Sequence, residues 1–87
     1  MRIKYSRKFK KQYTKAPQKI KQAFKNRRNF FLKNPHNPVL NNHKLGGKLK
    51  GRRSINVSGD WRALYSEPTQ GVVIFEALGT HSQLYKQ

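Results

Sequence analysis

Apolar residues are sparse in the first third of the chain, and they recur there with helical spacing. After a short alternation from Arg2 to Tyr5, with Ile3 and Tyr5 on one side, Phe9, Tyr13 and Ala16 share one helical face, and Ile20, Ala23, Phe24 and Phe31 share another. Ser6 precedes the first stripe and offers a side-chain oxygen to the amides of a first turn. Pro17 divides the two stripes and is expected in the first turn of the second helix. Asn34 ends that helix, because a residue before proline avoids the helical region and Pro35 follows. The pattern therefore predicts a short edge strand and then a hairpin of two amphipathic helices.

Residues 34 to 51 lose this periodicity and gather Pro35, Pro38, Gly46, Gly47 and Gly51, which reads as a long loop. Alternation with a period of two begins at Arg53, Ile55 and Val57, turns at Gly59-Asp60, and returns through Trp61 to Tyr65. Glu67 to Gly71 is the next turn, and Val72 to Phe75 is apolar on both faces, as in a strand covered on both sides. Strand, two helices and an antiparallel meander give an α+β layout, with the helices on one sheet face and the other face left for a ligand. A two-residue turn at Gly59-Asp60 would set Val57 opposite Arg62 and Arg53 opposite Ser66, putting both arginines on one face.

At 87 residues the chain is expected to form one domain over 1–87, since so short a polypeptide buries only about 60–65% of its unfolded surface. It has no cysteine, so neither a disulfide framework nor a thiolate metal site is available. No apolar run resembles a signal-peptide core or a membrane span, and a cytoplasmic location is expected. Charge changes the picture most. Twenty Lys and Arg stand against three Asp and Glu, a formal +17, and residues 1 to 33 hold thirteen of the bases and none of the acids. Such a field opposes folding by self-repulsion and attracts a polyanion, either a phosphate backbone or an acidic protein.

Within this basic chain two clusters carry chemistry: Gly59-Asp60-Trp61-Arg62 and Gly79-Thr80-His81-Ser82-Gln83-Leu84-Tyr85. Cutting RNA without a metal takes a base for the 2′-hydroxyl, a cation for the charge on the phosphoryl oxygens and an acid for the leaving 5′-oxygen. His43 and His81 suit proton transfer because histidine titrates near working pH. Asp60, surrounded by positive charge, suits orientation better than base catalysis. Arg62 and Arg53 can fork onto phosphate, as lysine cannot, and Lys48, Lys50 and Arg52 add charge beside them. Tyr85 and Trp61 offer flat faces to an unstacked base, although the strand neighbours of Trp61, Ala63 and Tyr65, favour a core position for it. His36, between Pro35 and Asn37, reads as an ordinary loop residue. No two histidines or acids have the spacing of a metal site, so neither a metal nor another cofactor is expected.

Asn42-His43-Lys44-Leu45, Gly47-Lys48-Leu49-Lys50-Gly51, Arg53-Ser54-Ile55-Asn56-Val57 and the two clusters, in that order, resemble the RelE/ParE toxin superfamily near its YafQ-like mRNA interferases. The opening Tyr5-Ser6-Arg7-Lys8-Phe9-Lys10-Lys11 extends the likeness almost from end to end. The resemblance implies a RelE-like microbial ribonuclease fold and the toxin half of a type II toxin-antitoxin pair. It also implies ribosome-dependent cleavage of mRNA in the A site, contacts to rRNA through the basic helices, and neutralisation by an acidic antitoxin. By position, His43 is similar to the family's loop histidine, Asp60 to its acid after the turn glycine, and His81 to its C-terminal catalytic histidine. Arg62 is similar to the arginine on the reacting phosphate, Tyr85 to the terminal aromatic, and Arg53 to a basic position of RelE-type members. Asn56 and Ala77 depart from the pattern, standing where some relatives carry a histidine and an arginine. Two other readings compete: a ParE-like inhibitor of DNA gyrase, and an RNA-binding module without catalysis.

Overall fold

The computed structural model describes residues 1–85. Its order is β1 (Arg2–Tyr5), α1 (Arg7–Lys15), α2 (Gln18–Lys33), β2 (His43–Lys44), β3 (Arg53–Ser58), β4 (Trp61–Thr69), β5 (Val72–Thr80) and α3 (His81–Tyr85). The five strands form one sheet in the order β1-β5-β4-β3-β2. β2 to β5 are antiparallel neighbours, whereas β1 lies parallel to β5 at the edge. The meander is antiparallel as expected, and the edge strand β1 makes the sheet as a whole mixed. α1 and α2 carry the chain from β1 across to β2 and β3 on the far side of the sheet, and the meander then returns to set β5 beside β1.

Both helices begin and end where the local chemistry dictates. The Ser6 hydroxyl accepts from the Phe9 amide at 3.0 Å and caps α1. Pro17 lies just outside α2 as its N-cap, not within its first turn as expected, and its carbonyl accepts from the amides of Ile20 and Lys21. Asn34 closes α2 in extended backbone, before Pro35. The stripes read from the sequence do the packing: Phe9, Ala16, Ile20, Phe24 and Phe31 are buried against Ile55, Val57, Ala63, Tyr65, Val73, Phe75 and Leu78. Phe24 meets Phe75 edge-on with ring centroids 5.1 Å apart, an arrangement that aromatic quadrupoles favour. Where β1 stops, α1 takes over the edge of β5: Ser6 donates to the Glu76 carbonyl and the Gln12 side chain accepts from the Leu78 amide.

The β3–β4 hairpin corrects the expected register. Gly59 and Asp60 are the two turn residues, with Ser58 opposite Trp61, and only Gly59 has positive φ, where a II′ hairpin turn places glycine. A bulge at Val57 then sets Asn56, not Val57, opposite Arg62, and Arg53 opposite Tyr65. A bulge-free register would have paired core-facing Val57 with outward-facing Arg62. One extra residue brings Ile55, Val57, Ala63 and Tyr65 onto the same buried face. The Val57 carbonyl is met by Nε of Arg27 on α2 at 3.2 Å.

The second sheet face is not bare. Leu64, Ala77 and Leu84 form a small second core, with Leu45, Leu49 and Tyr85 against it. The stretch expected as a loop is correspondingly organised: Leu40 is buried in the main core, and short 3-10 turns at Pro38–Leu40 and Gly47–Leu49 flank β2. β4 also runs further than expected, through Glu67 and Pro68, so that Gln70-Gly71 alone turns the chain into β5.

Candidate functional site

Directly opposed residues of antiparallel strands share a face, so the register draws the site. One row runs His43, Ser54, Leu64, Ala77, and the next runs Asn56, Arg62, Gly79. Both lie on the face away from α1 and α2. His43 and Arg62 therefore share a surface with α3, which packs over Leu64 and Ala77 through Leu84.

α3 is short but firmly begun. Thr80 Oγ1 accepts from the Gln83 amide at 3.2 Å and the Gln83 side chain accepts from the Thr80 amide at 2.9 Å, a reciprocal capping box. His81 is the first residue of α3, and its amide donates to the Asp60 carbonyl at 2.8 Å. The site thus joins the far end of the chain to the β3–β4 turn through the backbone. The His81 ring rests on that of Tyr85, 4.3 Å between centroids. Gly79 makes this packing possible: a Cβ there would lie 3.0 Å from Gln83 Oε1 and 3.3 Å from a Leu84 methyl.

Arg62 Nη1 donates to the carbonyls of Gly59 and Trp61, at 2.8 and 3.0 Å. Those bonds use the two hydrogens of one terminal nitrogen and leave Nε and Nη2 as donors. His43 Nδ1 lies 2.8 Å from the Asn41 carbonyl. A carbonyl can only accept, so Nδ1 carries the hydrogen and Nε2 of the neutral ring keeps its lone pair. Asp60 is exposed in the turn, and its carboxylate makes no hydrogen bond with His81 or Arg62 among the described residues. Asn56 Oδ1 and the hydroxyl of fully buried Ser54 have no partner among the described residues, and both belong to β3 on this face.

The remaining basic candidates divide. Lys48 and Lys50 are exposed in the loop before β3, and Arg52 is half-buried, 3.5 Å from Glu76 in the one ion pair among the described residues. Arg53 turns to the opposite face, where Nε donates to Asn42 Oδ1 at 2.6 Å and the Asn42 amide reaches Tyr65 Oη at 2.7 Å. Trp61 also lies on that side, partly buried against the main core. His36 sits in an exposed loop. Asn42, Glu76 and Gln83 join the site's surroundings although they are not among the candidates that residue type and motif single out. Thr80-x-x-Gln83 was a visible capping signal, and Glu76 was conspicuous as a lone acid within an apolar strand.

Residues 1–86 match the family described as the bacterial toxin of type II toxin-antitoxin systems, YafQ. The chain belongs to the YafQ toxin family. YafQ from E. coli strain BL21(DE3) is similar to it throughout: TM-score 0.81 and 29% identity, with 98% of this chain and 99% of that one covered. The toxin in the E. coli DinJ–YafQ toxin-antitoxin complex superposes with TM-score 0.77 at 29% identity, covering 95% of this chain and 94% of that one. A YoeB/ParE toxin from Agrobacterium tumefaciens shares the fold at 12% identity, with TM-score 0.76 and coverage of 93% and 99%. No curated protein matches the chain in sequence. As in these relatives, two helices and an N-terminal strand accompany a sheet, and no helix among the described residues is long and apolar enough to cross a membrane.

Proposed function

We propose that this YafQ-family toxin is a ribosome-dependent, metal-independent endoribonuclease that cuts mRNA in the A site. In this reading His43 Nε2 takes the proton of a 2′-hydroxyl, and O2′ attacks the adjacent phosphorus. The P–O5′ bond breaks as His81 gives its proton to O5′, leaving a 2′,3′-cyclic phosphate and a 5′-hydroxyl. Arg62, braced on the turn carbonyls, offers its remaining donors to the non-bridging oxygens. Asp60 holds the start of α3 to the turn through its carbonyl and adds a carboxylate nearby, and Tyr85 holds the His81 ring.

The observation that carries the reading is the bond from His43 Nδ1 to the Asn41 carbonyl, which leaves a base on the face that also bears Arg62. Lys48, Lys50 and Arg52 line the strand's approach, and the lysine-rich helices suit rRNA. A cognate acidic antitoxin is the partner that a +17 surface favours, in line with the E. coli relative seen with DinJ.

The test is in vitro translation with purified protein in EDTA, mapping new 5′ ends. Codon-phased cuts that His81→Ala and His43→Ala abolish are expected. Intact mRNA together with altered plasmid supercoiling would instead mark a gyrase inhibitor, and unchanged action of His81→Ala would mark an RNA-binding module.

A further inference from the structure

A cavity of about 270 Å³ opens on the catalytic face between α1, the loop before β3 and α3. Its floor includes Leu64 and Ala77, whose sheet row continues through Ser54 to His43. Three cations, Lys8, Lys48 and Arg52, line it against one carboxylate, Glu76, and the amides of Gln12 and Gln83 complete the polar wall.

The acceptors in this wall are already engaged. Gln12 Oε1 takes the Leu78 amide at 2.8 Å and Gln83 Oε1 takes the Thr80 amide at 2.9 Å. A backbone N–H requires the oxygen of each carboxamide, so what remains of each is its NH₂. Glu76 accepts from Ser66 Oγ through one oxygen and from Arg52 through the other. The Ser6 hydroxyl accepts from Phe9 and donates to the Glu76 carbonyl. Two carboxamide NH₂ groups and the ammonium groups of Lys8 and Lys48 are left over, and neither lysine has an ion-pair partner among the described residues. A wall of spare donors around positive charge selects a ligand that only accepts, an anion.

We propose that this cavity is a phosphate subsite holding a backbone phosphodiester of the RNA beside the one being cut, with Lys8 and Lys48 as counter-charges and Gln12 and Gln83 as neutral donors. The proposal rests on the RNA-cleavage reading. Continuity with the His43 row favours a nucleic-acid strand crossing this face over the carboxylate of an acidic protein segment. The small side chain of Ala77 keeps the floor open.

The experiment measures binding of a short 2′-O-methyl RNA, which cannot be cleaved, by fluorescence anisotropy at several salt concentrations. Lys8→Ala/Lys48→Ala is compared with Arg2→Ala/Lys4→Ala, a pair that removes the same charge from exposed positions of β1. The cavity pair is expected to weaken binding about tenfold and to lower the salt slope by about 0.7, the value for one single-strand phosphate, while the β1 pair costs less than about threefold. In NMR, the side-chain NH₂ signals of Gln12 and Gln83 should shift with adenosine 3′-monophosphate and stay still with adenosine. Equal losses from the two pairs, or amide signals that do not move, overturn the subsite. Signals that move with poly-glutamate but not with the nucleotide also overturn it, assigning the cavity to an acidic protein. Wild-type protein that binds the uncleavable RNA with the cavity dependence above yet leaves translated mRNA intact would overturn the cleavage reading and keep the subsite, so the two failures are distinguishable.

Discussion

The amide of His81 donates to the carbonyl of Asp60 at 2.8 Å, so the first residue of α3 is tied to the β3–β4 turn. Two segments twenty residues apart in sequence, each carrying candidate chemistry, are thereby held in one place by backbone rather than by side chains. Their side chains stay exposed and unpaired with each other, which leaves them available to a substrate.

Exchanging either histidine should separate activity from stability. His43 and His81 are exposed, so their alanine variants should keep the wild-type free energy of urea unfolding to within about 0.5 kcal/mol. Cleavage, read by primer extension, should fall by about 10²–10⁴-fold, the usual contribution of a positioned acid or base.

The two arginines of the hairpin should behave oppositely. Arg53→Ala breaks the bond to Asn42 on the helix face and should cost about 1–2 kcal/mol in urea unfolding, with cleavage per folded molecule retained. Arg62→Ala, on the face that also bears His43, should cost about 10²-fold or more in rate, the scale of one lost donor to a developing oxyanion. Arg62→Lys should not rescue it, since lysine lacks the fork that bonds to the turn and reaches a phosphate together.

Leu84→Ala tests whether α3 must stay docked. Leu84 is buried in the small second core, so the substitution should cost about 2–3 kcal/mol. Hydrogen exchange should increase at Gln83 first, and cleavage should drop even where the main core remains folded.

The turn itself depends on one dihedral. Gly59 has φ +54° with open space around a would-be Cβ, so the penalty of Gly59→Ala is purely conformational, about 1–2 kcal/mol by thermal unfolding.

Ser54→Ala should stabilise. The Ser54 hydroxyl is fully buried without a partner among the described residues, and removing a desolvated, unbonded group should return about 1 kcal/mol, measured as a raised urea midpoint.

The stripes of α1 and α2, the start of α1 and the end of α2 were legible because they depend on local spacing and on capping chemistry: Phe9, Phe24 and Phe31 are buried as the 3.6-residue period demands, and Ser6 and Asn34 bound the pair as their side chains and neighbours require. The candidate histidines, Asp60 and Arg62 were legible as residue types in an ordered pattern. What the sequence by itself determined is therefore local: periodicity, punctuation, charge and the identity of the reactive groups. Tertiary structure alone decided that β1 joins β5 in parallel, that a bulge at Val57 sends Arg53 and Arg62 to opposite faces, and that Lys8, Lys48, Glu76 and Gln83 line one cavity. These depend on pairing between distant segments. A single inserted residue reverses the facing of every side chain beyond it, and the strand gives way where burying Ile55 and Tyr65 together outweighs the cost of the bulge.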